Sequence, residues 1–360
     1  MSRRNVVRRA LLIALAPVFI FLLVEVVFRV YFTYFGTEAD RYMYVYSAEQ
    51  IANGSAAVIG LPFVNSGPSP RYPGHNALGF RGPDIEIPKP EGRFRILANG
   101  GSTTYGSGLE ANETWPAQLQ QILHDEYGYT HVEVINVASV GYTTWNAVAS
   151  FAFRELNLEP DLLIVYHGTN DTKALVMPPE CYQGESVVRG LWSGMWRTNG
   201  PPISPSVAFR FIAVNRGWMP NPADYNNWVI PVTESDPACK NPLPIGEALA
   251  TNPPIYFERN LRNLVHLARG NGVDVMFSTW AYYPPKVDND AWEPAYDLLN
   301  QVTQRVAEEM GVHFYDLMSN LPDNPEFWFF DGEHQTALGA REQASQYAAL
   351  LVEEGIIPPP

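Results

Sequence analysis

From Arg93 onward, short apolar runs alternate with longer stretches whose apolar residues recur every three or four positions. Phe94–Ala98, Val132–Val137, Leu162–Tyr166, Val273–Thr279 and His313–Leu317 read as strands. Between and after them, Thr114–Tyr127, Thr144–Leu156, Ile255–Arg269, Ala291–Met310 and Thr336 to about Glu353 read as helices. The first of these carries Trp115, Leu119, Ile122 and Leu123 at helical spacing. Leu162–Tyr166 is apolar at every position, as a strand of a parallel sheet buried on both faces would be. Strands separated by helix-length segments predict a mostly parallel, doubly wound α/β sheet, in which ligands bind beyond the carboxyl ends of the strands. The alternation breaks over about 172–252, a Trp- and Pro-rich stretch holding both cysteines, which reads as an insertion. Residues 36–92 are rich in Tyr, Gly and Pro without helical periodicity and read as an ordered lead-in to a domain spanning 93–357.

The first 35 residues follow a different pattern. Arg3, Arg4, Arg8 and Arg9 precede a 23-residue, largely apolar run from Ala10 to Phe32. At helical rise that length crosses the ~30 Å of a bilayer core. Four arginines before the run and few basic residues after it predict a cytoplasmic tip and a single-pass anchor, with the body outside the inner membrane, in the periplasm. Glu25 and Arg29 interrupt the run, and their spacing of four lets them pair on one helix face near the outer interface. A cleaved signal peptide is the alternative, with Ala14-Leu15-Ala16 as its site, although Pro17 follows directly.

Composition narrows the partners. Apolar residues make up 46% of the 360 positions, enough for a sizeable core, while charged residues make up only 17%. Four of the 24 basic residues lie in the first nine positions, leaving 20 against 38 acidic residues, or −18, for the rest. Such a body repels nucleic acid, so no nucleic-acid partner is expected. The two cysteines, Cys181 and Cys239, lie outside any C-x-x-C spacing, and no His/Cys cluster suggests a metal or cofactor site. In an oxidising compartment the pair could be bonded, and two buried thiols would look the same in sequence.

Four separated blocks carry candidate chemistry. Ser102 sits just after the first strand in Gly100-Gly101-Ser102-Thr103-Thr104-Tyr105-Gly106, where small neighbours let the chain turn sharply and leave a hydroxyl exposed. A Gly-rich loop cradling phosphate is the other reading of that block, but it fits neither common nucleotide-binding pattern. Gly141 follows the second strand and can bring a backbone N–H close to a substrate oxygen, or serve as a plain turn. Asn170, after the third strand, can donate its side-chain amide to the same oxygen, or cap a helix. Asp331 and His334 share a loop before the last helix, spaced so that the carboxylate accepts from one ring nitrogen while the other faces Ser102. His167 is the other histidine to watch, since it adjoins Gly168 and could border the pocket.

Ser, Gly, Asn and His in four ordered blocks resemble the SGNH (GDSL-type) hydrolase superfamily, specifically its bacterial membrane-anchored branch. The resemblance runs from about Asn76 to Gly355 outside the insertion, and includes Asn76-Ala77-Leu78-Gly79-Phe80-Arg81-Gly82 followed by Phe94-Arg95-Ile96-Leu97. It implies a flavodoxin-like three-layer α/β/α sandwich. It also implies Ser102 as nucleophile, His334 as base, Asp331 as its orienting acid, and Ser102, Gly141 and Asn170 as oxyanion-hole donors. One position departs: the Asp that usually precedes the nucleophile is Gly101 here. The activity so implied is hydrolysis of carboxylic esters, with short acyl or O-acetyl groups, through an acyl-enzyme. The substrate would be an ester-bearing small molecule or an acylated glycan. Two alternatives stand beside it. One is acyl transfer to an exopolysaccharide or envelope glycan, for which Trp192, Trp196, Trp218 and Trp228 in the insertion could line an acceptor groove or simply pack. The other is a non-catalytic glycan-binding or assembly protein on the same fold.

Overall fold

A computed structural model describes residues 3–36, 40–47, 58–61, 64–70, 72–182, 206–218, 243–287 and 292–360. The chain forms two compact units, one of Met1–Ala56 with Gly194–Val229, the other of Ala57–Ser193 with Ile230–Pro360.

The second unit is built on five parallel strands. These are β3 (Phe94–Gly100), β4 (Val132–Asn136), β5 (Leu162–Tyr166), β6 (Asp274–Ser278) and β7 (His313–Tyr315), in the order β4-β3-β5-β6-β7. With the strands renumbered from β3, this is the 2-1-3-4-5 order of flavodoxin-like folds. A short antiparallel ladder, β1 (Val58–Leu61) with β2 (Asn65–Pro68), lies in the lead-in. The sequence pattern had placed the five sheet strands and missed this ladder, whose Gly and Pro content masks any alternation.

Two apolar layers sandwich the sheet because side chains alternate faces along each strand. On one face Ile96, Ala98, Leu162, Ile164, Tyr166 and Met276 join Trp115, Leu119, Ile122 and Leu123 of α3 (Trp115–Asp125) and Tyr347 and Leu351 of α11 (Ala337–Glu353). On the other, Leu97, Leu163, Val165, Val275 and Phe277 meet α4 (Thr144–Phe153), α8 (Ile255–Gly270) and α9 (Glu293–Met310). The result is a three-layer α/β/α sandwich. Between these lie α2 (Ser102–Tyr105), α5 (Thr169–Leu175), α7 (Ile245–Thr251) and α10 (Leu317–Asn320). Helices α5 and α7 fall at the two ends of the expected insertion.

Charged residues tie the lead-in to the sheet. Arg95, fully buried, donates from Nε to Glu133 (2.7 Å), from a guanidinium nitrogen to Glu86 O (2.9 Å), and to Leu158 O. Asp161 accepts from the Arg95 backbone N (2.7 Å) and pairs with Lys89 at 2.6 Å. Phe80 of the lead-in is buried in the second apolar layer, and Asn76 Oδ1 accepts from the Leu78 and Phe80 amides to hold its turn.

Within the first unit, α1 (Arg3–Tyr34) contains Leu15–Tyr34, which is long and apolar enough to cross a membrane and is almost wholly exposed. Pro17 does not interrupt it. Helix α6 (Val207–Asn215), drawn from the insertion, packs on α1, with Phe211 against Phe28 and Phe32. Cys181 is disulfide-bonded, and Cys239, the chain's other cysteine, lies outside the described residues. So do Trp192, Trp196 and Trp228 of the expected groove, while Trp218 stands exposed just past α6 in the first unit.

One buried carboxyl sets a pH dependence of stability. Glu155 is fully buried and accepts from Asn99 Nδ2 at 2.9 Å. Burial outweighs that hydrogen bond and raises its pKa from 4.5 to about 7. The unfolded chain therefore loses this proton near pH 4.5 while the folded protein keeps it to about pH 7, so its contribution to stability declines across that window. Glu155→Gln keeps the acceptor and cannot titrate. The difference in Tm between variant and wild type is expected to grow in the variant's favour from pH 4.5 to 7 and then level off; a difference independent of pH would refute the protonated carboxyl.

Candidate active site

Four loops meet at the carboxyl edge of the sheet because β3 lies between β4 and β5. The chain leaving β3 enters α2 at Ser102, the chain after β4 carries Gly141, and the chain after β5 carries Asn170. The fourth is the turn before α11, which brings Asp331 and His334. All five residues line one cavity of about 440 Å³.

His334 Nε2 lies 2.8 Å from Ser102 Oγ, and His334 Nδ1 lies 2.7 Å from Asp331 Oδ2. The other carboxylate oxygen of Asp331 accepts from the backbone amides of Glu333 and His334, both at 3.0 Å. Burial alone would raise the Asp331 pKa, but hydrogen bonds from the His334 ring and from these amides outweigh it and hold the carboxyl at about 2. An ionised carboxylate only accepts, so Nδ1 carries the imidazole proton and Nε2 presents its lone pair to the Ser102 hydroxyl.

Gly141, which lines the same cavity as Ser102, adopts a left-handed φ of +77°, strained for any residue with a side chain. Asn170 is buried, and its Nδ2 donates to Tyr142 O at 3.0 Å. An amide nitrogen has two protons, so the second is available to a substrate oxygen. Lys173 Nζ donates to Asn170 Oδ1 at 3.3 Å, fixing the amide's orientation from the opposite end. Gly101 has a specific reason to lack a side chain: a Cβ there would come within 2.8 Å of Asn170 Nδ2 and 3.2 Å of Tyr142 O. A side chain at this position would force the Asn170 amide to shift.

The next residue, Asp171, is buried and clamps the start of α4 through Thr144, accepting from its hydroxyl at 2.6 Å and from its backbone amide at 3.1 Å. Burial, opposed by these bonds, raises its pKa to about 7. Trp280, past β6, packs its ring where a side chain on Gly168 would stand and donates from Nε1 to Thr103 Oγ1 at 3.3 Å.

The structure brings Ser102, Gly141, Asn170, Asp331 and His334 together as the sequence order implied. It corrects the expectation for His167. That ring is buried beneath the site, with Nε2 2.9 Å from Asn99 Oδ1, and burial lowers its pKa to about 3. Sequence reasoning missed Lys173, Val287, Trp292 and Tyr296, which also line the cavity. Lys173 and Val287 come from separate elements, and Trp292 and Tyr296, four apart at the start of α9, read in sequence as an ordinary helix face. Glu333 was the one accessible clue, being next to His334; its carboxylate accepts from Tyr296 OH at 2.7 Å and Thr169 Oγ1 at 3.3 Å. Among the described residues no group of three or more His, Cys, Asp or Glu could hold a metal ion.

Residues 98–342 match the model of the GDSL-like lipase/acylhydrolase family. No curated protein matches the chain. Solved structures similar to it include an α/β hydrolase from the metagenome of Lake Arreo, Spain, at 16% identity and a TM-score of 0.44, covering 73% of this chain and 95% of that one. A lipase/acylhydrolase from Enterococcus faecalis is similar at 16% identity and a TM-score of 0.44, over 74% of this chain and 98% of that one. A GDSL-like lipase from Parabacteroides merdae is similar at 13% identity and 0.43, over 75% and 100%. With the family match covering most of the chain and all four loops of the site, the chain belongs to the GDSL-like lipase/acylhydrolase family and is a serine ester hydrolase.

Proposed function

We propose that this hydrolase is a membrane-anchored, extracytoplasmic esterase that cleaves short acyl esters, O-acetyl esters among them, with Ser102 as nucleophile. The observation that carries the reading is the unbroken relay from Asp331 through His334 to Ser102, at 2.7 and 2.8 Å, opening into a cavity that also holds Gly141 and Asn170.

In this mechanism Ser102 Oγ gives its proton to His334 Nε2 as it bonds to the ester carbonyl carbon. The carbonyl oxygen becomes an oxyanion held by the Ser102 and Gly141 amides and the free proton of Asn170 Nδ2. Collapse breaks the bond to the alcohol, which takes the proton from His334. Water then repeats the sequence on the acyl-enzyme, releasing the acid and restoring Ser102. Asp331 stays ionised throughout, keeping the imidazole in the required tautomer.

The cavity's lining supports a small acyl group on a polar alcohol. Val140, Val287 and Trp292 supply apolar surface, while Thr169, Thr172, Lys173 and Glu333 supply hydrogen-bonding groups. A volume of about 440 Å³ sits at the small end of ligand pockets. The four arginines before the Leu15–Tyr34 span support a cytoplasmic N-terminus and a catalytic unit on the far side.

A panel of esters of graded acyl length tests the reading. Activity is expected to peak at the shortest chains and to vanish in Ser102→Ala; a long-chain optimum, or full activity in that variant, would refute it. An added glycan acceptor reports on transfer, and acylated glycan as the main product would replace hydrolysis with acyl transfer. Asn170→Ala is expected to lower kcat by roughly 10²–10³-fold, as loss of one oxyanion donor does. Gly101→Ala should lower kcat in the same direction through displacement of that amide, with little change in Tm; unaltered kcat would show that the amide does not act. Asp331→Asn is expected to cost about 10⁴ in kcat, because Asn can hold the wrong tautomer, with steady-state kinetics as the measurement.

A further inference from the structure

The charge inside the span has a partner that its helix does not supply. Glu25 pairs with Arg29 at 2.7 Å, as the spacing predicted. Its carboxylate also accepts from Ser206 Oγ (2.8 Å) and from the backbone amides of Val207 (3.0 Å) and Ala208 (2.9 Å), the first turn of α6. These bonds tie α6 to one level of α1. Glu25 lies nine residues inside the Tyr34 end of the span, or about 14 Å at helical rise. A helix fixed at that depth lies within the hydrocarbon if α1 spans a bilayer.

The surface of α6 has the polarity that such a location requires. Phe211 packs against Phe28, Phe32 and Tyr44. Arg210 points to the carbonyl of Tyr46 at 2.5 Å, in the segment that follows the span. On the outer side, Phe209 and Ile212 are each 43% exposed, and Trp218 beyond the helix end is 67% exposed. Ala208 and Ile212 also form one wall of an apolar groove, and Ala16, Pro17, Ile20, Phe21 and Val24 of α1 form the other. The exposed apolar face of α6 is thus continuous with the exposed apolar face of the span.

We propose that residues 206–218 form a second membrane-seated element, a short helix set into the extracytoplasmic leaflet against α1. Lipid acyl chains cover its outer face and fill the groove. The proposal rests on the anchor reading given above. It accounts for a carboxylate in the span: three donors at the start of α6 and the Arg29 guanidinium replace the water that the bilayer withholds. It also gives Trp218 the position expected of an aromatic side chain at a membrane boundary.

The test uses the full chain in lipid nanodiscs of phosphatidylcholine and phosphatidylglycerol. 4-Trifluoromethylphenylalanine replaces one phenylalanine at a time: Phe21 in the span, Phe209 on α6, or Phe153, exposed on the catalytic unit. Fluorine signals are read with spin-labelled lipid and, separately, with a water-soluble gadolinium chelate. Probes at 21 and 209 are expected to lose intensity to the lipid label and keep it with the chelate, while the probe at 153 does the reverse. If 21 behaves as lipid-facing and 209 behaves like 153, the second membrane element is refuted and the anchor stands. If 21 also follows 153, both readings fall.

Discussion

The hydrogen bond between Ser102 Oγ and His334 Nε2 joins residues 232 positions apart, and the architecture of the catalytic unit serves to make it. A serine hydroxyl is a weak nucleophile unless a base sits within hydrogen-bond reach, so both ends must be fixed to a fraction of an ångström. Ser102 is fixed by the abrupt change from β3 to α2. His334 is fixed by a turn in which one carboxylate, Asp331, accepts from the imidazole and two backbone amides at once. Packing of α11 beside α3, through Trp115 and Tyr347, sets that turn beside the end of β3.

Sheet order does the rest. Placing β3 between β4 and β5 puts the first residues after three consecutive strands side by side, so Ser102, Gly141 and Asn170 converge without long loops. Under this surface lies a layer of buried polar groups: His167 on Asn99, Asn99 on Glu155, and Asp171 on Thr144. Burying such groups is costly unless they find partners, and these hydrogen bonds hold His167, Asn99 and Asp171 in place. The Asn170 amide is held in the same way. Asn170 is gripped at its nitrogen by Tyr142 O and at its oxygen by Lys173, and Gly101 leaves the space that the amide occupies.

The N-terminal unit also surrounds a carboxylate with donors. Glu25 interrupts the apolar helix α1, where Arg29 supplies charge and the start of α6 supplies directed N–H and O–H donors. The insertion that interrupts the catalytic unit thereby returns to the N-terminal helix.

By itself the sequence determined the five sheet strands and the helices after them, because alternation and helical spacing are local properties of the chain. It also singled out Ser102, Gly141, Asn170, Asp331 and His334 as candidates, since each sits at a strand end or a loop whose chemistry is legible in a few adjacent residues. The pairing of Glu25 with Arg29 was readable for the same reason, a fixed spacing on one helix. What lay beyond reach were contacts between residues far apart in the chain. Tyr296 on Glu333, Trp280 against Gly168 and α6 on Glu25 carry no periodic signal. His167 shows the same limit from the other side: next to the Gly168-Thr169-Asn170 block it suggested a pocket residue, and only the packing of β5 turned it inward, where burial keeps it neutral. Local spacing specifies elements and candidate groups; the three-dimensional arrangement of those elements decides which groups meet, and so which charges are paired, buried or left facing a substrate.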